Sequence, residues 1–250
     1  MAAVTHEIVD GIGRIVLARP DQSNSFDLPT AQDMVRAVEA VSGDDVLAIT
    51  LTAQGKRFCA GGDVKSFAAA EEPADYLLEL ANVLEGALRS LAELPKPVVA
   101  GVRGAVAGAG LAVMLSADVI VASSATKLVM AYPGIGLTPD CGVSYLLPRA
   151  IGQQRALELA LTGRVLTAEE ARDWGMLTQV VEDDAVETRV DEIARGWATS
   201  APGALGQARR LIRSSWDTPG PEQGDDESRT IAARVTTEES RRLVAAFTAR

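Results

Sequence analysis

The hydrophobic pattern of this chain alternates between the period of a strand and the period of a helix. Short apolar runs rich in β-branched residues predict strands, and a turn at Asp10 and Gly11 divides the first run into a hairpin. These runs are residues 7–18, 46–52, 97–102, 118–122, 127–130 and 178–181. Between them, apolar residues at three- and four-residue spacing predict helices. Strands that alternate with helices in this way predict an α/β fold.

The predicted helices carry start signals that can be checked individually. Asp27 and Asp63 are placed to cap helices, and Thr167 with Glu170 forms a capping-box pattern. The helices are predicted after residue 27, after residue 63, and at 76–94, 111–116, 142–151, 153–161 and 167–174. Beyond residue 184 the chain is predicted to be helical, with breaks at 201–203 and 217–225. We therefore expect a core over residues 1–200 and a helical segment over 201–250 that packs on the core or on another subunit.

Composition and charge exclude several kinds of partner. The 250 residues carry 24 Lys and Arg against 34 Asp and Glu, a formal charge of −10. This balance argues against nucleic acid or an anionic membrane as the main partner. The longest uncharged run, residues 104–117, is too short to span a bilayer. The two cysteines form no CxxC pair and the N-terminus lacks a signal-peptide pattern, so a reduced, cytoplasmic setting is expected.

The candidate chemistry lies between residues 101 and 142. Glycines at 104, 108 and 110 form a turn that leads into an apolar helix, whose first amides lack intrahelical acceptors. Further along the chain, a single carboxylate, Asp140, stands between a proline and a Cys-Gly pair. Since His6 is the only histidine, catalytic triads and histidine-ligated metals are not expected, and no metal site is predicted. GxSxG and Walker motifs are absent, and a dinucleotide site is a weak second choice because the turn does not fit GxGxxG. After these exclusions, the remaining candidate chemistry is acid–base catalysis by a carboxylate, aided by backbone amides.

Four segments together resemble the crotonase superfamily, the enoyl-CoA hydratases and isomerases. The match in order and spacing extends over essentially the whole chain. The segments are 10–25, with Arg19, Pro20 and Asn24; 55–63, GKRFCAGGD; 95–110, PKPVVAGVRGAVAGAG; and 135–142, IGLTPDCG, followed by LPRAIG at 147–152.

The resemblance implies a fold, a ligand and a set of contacts. The fold is a spiral of ββα units with a helical C-terminal segment used in trimer assembly, often doubled to a hexamer. The substrate is an acyl-CoA thioester, with coenzyme A as part of it and no further cofactor. The backbone amides of Ala60 and Ala109 are expected to bind the thioester oxygen. The remaining residues expected to contact the coenzyme A substrate are Lys56, Arg57, Gly61, Gly62, Asp63, Gly108 and Tyr132.

One departure from the family pattern bears on the reaction. Hydratases of this family carry two glutamates, and the matching positions here are Ala112 and Tyr132. Asp140 is the remaining carboxylate, and it resembles the base of single-aspartate isomerases, including those of the phenylacetate-pathway type. The hypothesis is that Asp140 moves a proton between C2 and C4 of a 3-enoyl-CoA.

Simpler explanations and other reactions stay open at this level. Asp140 is also typical of a helix N-cap. The glycine turn is also typical of tight helix packing, and Tyr132 is also typical of a pocket wall. Cys59 and Cys141 are typical of small buried apolar residues. On the same fold, Asp140 as a nucleophile or water activator would give hydrolysis or dehalogenation of an acyl- or aroyl-CoA. Residual hydratase activity and an inactive acyl-CoA-binding protein are further alternatives.

Overall fold

The computed structural model of the protein describes residues 2–249 and contains two sheets. The strands are β1 (Val4–Val9), β2 (Ile12–Leu17), β3 (Ala48–Ala53), β4 (Val98–Val102), β5 (Ala105–Ala107), β6 (Val119–Ser123), β7 (Lys127–Val129), β8 (Val165–Thr167) and β9 (Gln179–Val181). Six of them form a sheet in the order β1-β2-β3-β4-β6-β9, parallel except for the antiparallel β1–β2 hairpin. The smaller sheet has the order β5-β7-β8. The predicted α/β fold is confirmed, while β5 and β8 were not predicted.

The helices occupy most of the predicted positions. They are α1 (Leu28–Ala40), α2 (Val64–Ala68), α3 (Pro73–Glu93), α4 (Ala109–Leu115), α5 (Val143–Ile151), α6 (Gln153–Thr162), α7 (Ala168–Asp173), α8 (Val186–Thr199), α9 (Pro202–Ser214), α10 (Gly220–Val235) and α11 (Glu238–Thr248). Single 3₁₀ turns lie at Pro20–Gln22, Tyr132–Ile135 and Asp183–Ala185. Among residues 2–249, no helix is both long enough and apolar enough to cross a membrane.

The predicted caps are confirmed, and one predicted break is too long. Asp27 accepts from the Thr30 amide, Asp63 accepts from the Lys65 amide, and Thr167 forms both halves of its capping box. The break predicted over residues 217–225 ends earlier, because α10 already begins at Gly220. A proline in the first turn of α10 explains the difference, since proline is well tolerated where no intrahelical donor is needed.

The six-stranded sheet buries both of its faces, as parallel sheets do. Successive strand residues point to opposite sides. On one side Ile49 of β3 and Ala100 of β4 join the main core, together with α1 and α3. On the other side Ala48 and Val99 pack against α8 through Val190. The carboxyl ends of the central strands are thereby held rigidly, and the candidate site is built on the segments that leave them.

The C-terminal helices are attached to the core by a buried arginine. Arg209 of α9 is only 6% exposed, and it donates to Oδ2 of Asp118 at 2.6 Å. Its other nitrogens donate to carbonyl oxygens at the end of α3, including that of Ala92 at 2.7 Å. Helix α10 is in turn paired to α9 through Arg210 and Asp226. The division at residue 200 falls in the turn between α8 and α9, and its assignment as a domain boundary stays a prediction.

Gly206 tests how closely α9 approaches the core. A Cβ atom at this position would lie 1.9 Å from the carbonyl oxygen of Pro95. Gly206→Ala is expected to lower the free energy of unfolding by about 1–3 kcal/mol, because overpacking outweighs the roughly 1 kcal/mol gain in helix propensity. Urea unfolding measures the change. The control is Gly196→Ala in α8, where a Cβ meets nothing within 4 Å, so stability should rise slightly. Equal stabilisation of both variants would contradict the close approach.

Candidate active site

Two backbone segments lie side by side and form the candidate site. Residues 58–61 run parallel to residues 103–107, which follow the central strand β4. The Phe58 amide donates to the carbonyl oxygen of Arg103 at 2.8 Å, and the Ala107 amide donates to that of Cys59 at 3.0 Å. This pairing brings the bend at residues 60–63 next to the bend at 108–110. The two bends, which the sequence predicted to act together, are therefore in contact.

The contact requires glycine on both segments. A Cβ atom on Gly61 would lie 2.9 Å from the carbonyl oxygen of Ala107 and 3.4 Å from the Ala109 nitrogen. A Cβ atom on Gly110 would lie 2.5 Å from the carbonyl oxygen of Cys59. Any side chain at these positions would push the two backbones apart. Because glycine has no side chain, the two backbones can come close together at these positions, and the amides of both bends lie near one another.

The amide of Ala60, predicted to bind the thioester oxygen, is occupied by the protein itself. It donates to the carbonyl oxygen of Ser23 at 3.0 Å. The amide of Gly62, by contrast, is left without a backbone acceptor in the described part of the chain, for a geometric reason. Phe26 bridges this segment by donating to the Gly61 oxygen and accepting from the Asp63 amide, so the Gly62 amide points away from Phe26. Within residues 2–249, the Gly62 amide donates to no backbone carbonyl.

The second predicted amide, that of Ala109, is available. Ala109 is the first residue of α4, where an amide has no intrahelical acceptor, and Gly108 precedes it as N-cap with φ of 52°. In the described part of the chain the Ala109 amide donates to no backbone carbonyl. The site therefore offers two unoccupied amides, from Gly62 and Ala109. Such a pair can stabilise a developing oxyanion.

The carboxylate of Asp140 lies beside this pair of bends through its contact with Tyr132. The Tyr132 hydroxyl donates to Oδ1 of Asp140 at 2.7 Å. The same phenol ring packs on the glycine turn, since a Cβ atom on Gly108 would lie 3.9 Å from the Tyr132 Cζ atom. Asp140 does not cap a helix, because α5 has Gly142 as its N-cap residue and no side-chain cap. The capping explanation of Asp140 is thus wrong.

Burial fixes the protonation of Tyr132. Its side chain is 8% exposed, and desolvation together with the negative charge of Asp140 raises the pKa of the phenol. The hydroxyl therefore stays protonated at neutral pH and acts as the donor in its hydrogen bond with Asp140. The phenol makes a defined polar contact with Asp140, and its role as a pocket wall stays a prediction.

Both cysteines are buried beside the site and stay protonated. Burial raises the pKa of the Cys59 thiol to about 12, and burial followed by the charge of Asp140 raises the pKa of the Cys141 thiol. A thiol must ionise to act as a nucleophile. The interpretation of both cysteines as small buried residues is confirmed.

The predicted contacts on the 56–63 loop separate into two groups. Asp63 is used structurally: it caps α2 and forms an ion pair with Arg19 at 3.1 Å. Lys56 and Arg57 are exposed, and Arg57 donates to the Ser23 hydroxyl at 2.8 Å. Their contacts with coenzyme A stay a prediction.

A cavity of about 550 Å³ lies next to the segment that carries Asp140. Its walls come from α3, α5 and the end of α9, and Cys141 and Gly142, which follow Asp140 directly, line it. Its apolar lining includes Leu88, Ala92, Leu146 and Trp216.

Asn24 anchors the loop that carries the Gly62 amide. Its side chain is 1% exposed; Nδ2 donates to the carbonyl oxygens of Gln54 and Arg57, and Oδ1 accepts from the Arg19 amide. Sequence reasoning missed this role, although Asn24 lies in a segment that carries the family resemblance.

Asn24→Asp should destabilise the fold by about 1–3 kcal/mol, because a buried oxygen would replace the donor that faces two carbonyl oxygens. Thermal and urea unfolding measure the effect. Asp21→Asn, a change of the same shape at an exposed position of this loop, is the control and should leave stability within about 0.5 kcal/mol. Wild-type stability in Asn24→Asp would show that the anchor is unimportant.

Comparison with known proteins finds relatives that match most of this chain. The 1,2-epoxyphenylacetyl-CoA isomerase of Escherichia coli K12 is 35% identical over 218 residues, which cover 86% of this chain and 83% of that protein. The trans-2-decenoyl-(acyl-carrier-protein) isomerase of Streptococcus mutans is 36% identical over 193 residues, covering 76% of this chain and 73% of that protein.

A crystal structure of an enoyl-CoA hydratase/isomerase from Cupriavidus metallidurans CH34 superposes with a TM-score of 0.90 at 33% identity, covering 100% of this chain and 94% of that one. The family model described as enoyl-CoA hydratase/isomerase matches residues 7–250. The resemblance inferred from the sequence is thereby confirmed: the chain belongs to the enoyl-CoA hydratase/isomerase family, within the crotonase superfamily.

Proposed function

We propose that this protein moves the C=C bond of an enoyl-CoA from the 3- to the 2-position, with Asp140 as the single base. The observation that carries the proposal is the contact of this carboxylate with Tyr132, whose ring packs on the glycine turn next to the unoccupied Ala109 amide. Coenzyme A enters as part of the substrate. The reaction is a redox-neutral proton shift, so it uses no further cofactor.

The amides make α-proton removal feasible for a weak base. When the proton leaves C2, negative charge develops on the thioester oxygen. A fixed amide that donates to this oxygen contributes about 2.7–4 kcal/mol to the transition state. General-base catalysis by a positioned carboxylate contributes roughly 10²–10⁴-fold. The two effects together support enolate formation without any charged group besides Asp140.

The residues at the two usual glutamate positions favour isomerisation over hydration. Ala112 is fully buried inside α4 and carries no acid, and Tyr132 keeps its proton. Glu85, another carboxylate near Cys141, is 44% exposed and lies 3.4 Å from Arg89. Water addition would need a second group that holds and activates water, whereas a proton shift needs only one base.

The substrate's two ends are assigned to different sides of the Asp140 segment. We infer that the exposed Lys56 and Arg57 meet coenzyme A phosphates, because both lie on the loop that also supplies Gly62. The apolar part of the acyl group is assigned to the cavity behind Cys141 and Gly142.

Asp140→Asn tests the role of the base. The variant is expected to bind acyl-CoA normally and to lose at least about 10²-fold in the conversion of 3-enoyl-CoA to 2-enoyl-CoA. The conjugated thioester absorbance and the product mass are followed together. Glu39→Gln, which neutralises an exposed carboxylate on α1 that does not line the cavity, is the control and should keep its activity.

Each product identifies a different reaction in this assay. Double-bond migration without a mass change supports the isomerase. A gain of water would instead show a hydratase, free coenzyme A would show a hydrolase, and binding without turnover would show an inactive protein. Migration by Asp140→Asn at the wild-type rate would contradict the assignment of the base.

Assembly through residues 201–250 is also part of the proposal. The last two helices expose apolar side chains, including Ile231, Val235 and Phe247, the last of them 78% exposed. Light scattering is expected to give a mass three or six times that of one chain, and Phe247→Asp should lower it. Leu161→Asp, 79% exposed on α6, is the control and should not change it. A single-chain mass for the wild type would contradict this assembly.

A further inference from the structure

The two oxygens of the Asp140 carboxylate differ in their hydrogen bonds. Oδ1 accepts from the Tyr132 hydroxyl at 2.7 Å. Within residues 2–249, no nitrogen or oxygen donor bonds Oδ2, and the other side-chain donor beside the carboxylate is the Cys141 thiol, a weak donor. The two oxygens of this single base are therefore not equivalent.

Backbone hydrogen bonds at both residues fix the main chain that carries Tyr132 and Asp140, so the bond between their side chains is what limits rotation of the carboxylate. The Leu137 amide donates to the Tyr132 carbonyl oxygen at 3.1 Å, and the Val143 amide donates to that of Asp140 at 3.0 Å. The Tyr132 ring is itself held between the core and the glycine turn at Gly108. Rotation of the carboxylate by half a turn would exchange its oxygens only after the bond to Tyr132 is broken.

We propose that Tyr132 is a positioning residue that holds Oδ1 of Asp140 and so leaves Oδ2 as the one oxygen that exchanges a proton with the substrate. The inference rests on the proposed isomerase function. It assigns Tyr132 a role in the fate of the transferred proton, beyond that of a wall of the pocket.

The proton then follows one route. The C2–H bond of the 3-enoyl thioester breaks, its proton moves to Oδ2, and the electron pair spreads over a dienolate from C1 to C4. The same proton forms the new C4–H bond, and the C3=C4 double bond becomes C2=C3. No electron is gained or lost. Since Oδ2 holds the proton throughout, the hydrogen taken from C2 is the one delivered to C4 on the same face.

Deuterium at C2 of the substrate tests this route. The wild type is expected to transfer a measurable fraction of the label from C2 to C4. In Tyr132→Phe the carboxylate is free to turn and to exchange its proton with water. This variant should therefore transfer several-fold less label, and its kcat should fall roughly 10-fold or more with KM little changed.

Two further variants control the experiment. Tyr76→Phe removes another tyrosine hydroxyl, one that accepts from the Leu28 amide and does not line the cavity assigned to the acyl group, and should leave label transfer unchanged. Replacement of Tyr132 by 3-fluorotyrosine keeps the hydroxyl and should keep the transfer. If Tyr132→Phe loses its native circular dichroism, the 3-fluorotyrosine protein still tests the role of the Tyr132 hydroxyl.

The outcomes separate this inference from the proposed function. A wild-type protein that does not convert 3-enoyl-CoA overturns the isomerase function. A wild type that does convert it, with label transfer and kcat unchanged in a folded Tyr132→Phe, overturns the role of Tyr132 alone. Loss of transfer in the 3-fluorotyrosine protein equal to that in Tyr132→Phe would also overturn it.

Discussion

Main-chain hydrogen bonds between residues 58–61 and 103–107 hold the site together, because they alone bring its two bends into contact. The first segment follows β3 and the second follows β4, and these two strands are neighbours in a sheet buried on both faces. A rigid sheet thus fixes where each segment begins. Gly61 and Gly110 then let the backbones meet at distances that no side chain would permit. This close approach brings the unoccupied amides of Gly62 and Ala109 near each other. Because both donors are main-chain groups, no charged side chain is needed to supply them.

Most of the groups around Asp140 are neutral. Its one carboxylate, Asp140, faces backbone dipoles and a protonated phenol, and a buried alanine occupies position 112. Burial keeps the neighbouring thiols of Cys59 and Cys141 neutral as well. One carboxylate among neutral hydrogen-bond donors suits the proposed reaction, in which one proton leaves and returns. The other carboxylate near Cys141, Glu85, is 44% exposed and lies 3.4 Å from Arg89, which makes it a poor second base for activating water.

Much of this organisation was predictable from the sequence, where a side chain carries the signal. The caps at Asp27, Asp63 and Thr167 were predicted because capping needs particular side chains at particular positions. The glycine turn and Asp140 were recognisable for the same reason. The strands β5 and β8 were missed because their residues carry other signals: β5 lies inside the glycine-rich turn, and β8 ends at Thr167, whose capping-box pattern predicts a helix start.

The choice between neighbouring amides was beyond the sequence. Ala60 and Gly62 are two residues apart, and every residue in the loop other than proline has an amide. Which amide is unoccupied depends on Ser23 and Phe26, which reach the loop from another part of the chain. The Tyr132–Asp140 contact likewise depends on how the intervening 3₁₀ turn folds back, and composition carries no trace of it.

The central claim is that two main-chain amides polarise a thioester carbonyl next to Asp140. The most direct measurement is the infrared stretching frequency of a ¹³C-labelled thioester carbonyl in a saturated acyl-CoA, free in water and bound to Asp140→Asn. Two fixed donors should shift the bound carbonyl to a lower frequency than in water. A bound frequency equal to or higher than that in water would contradict the role of Gly62 and Ala109.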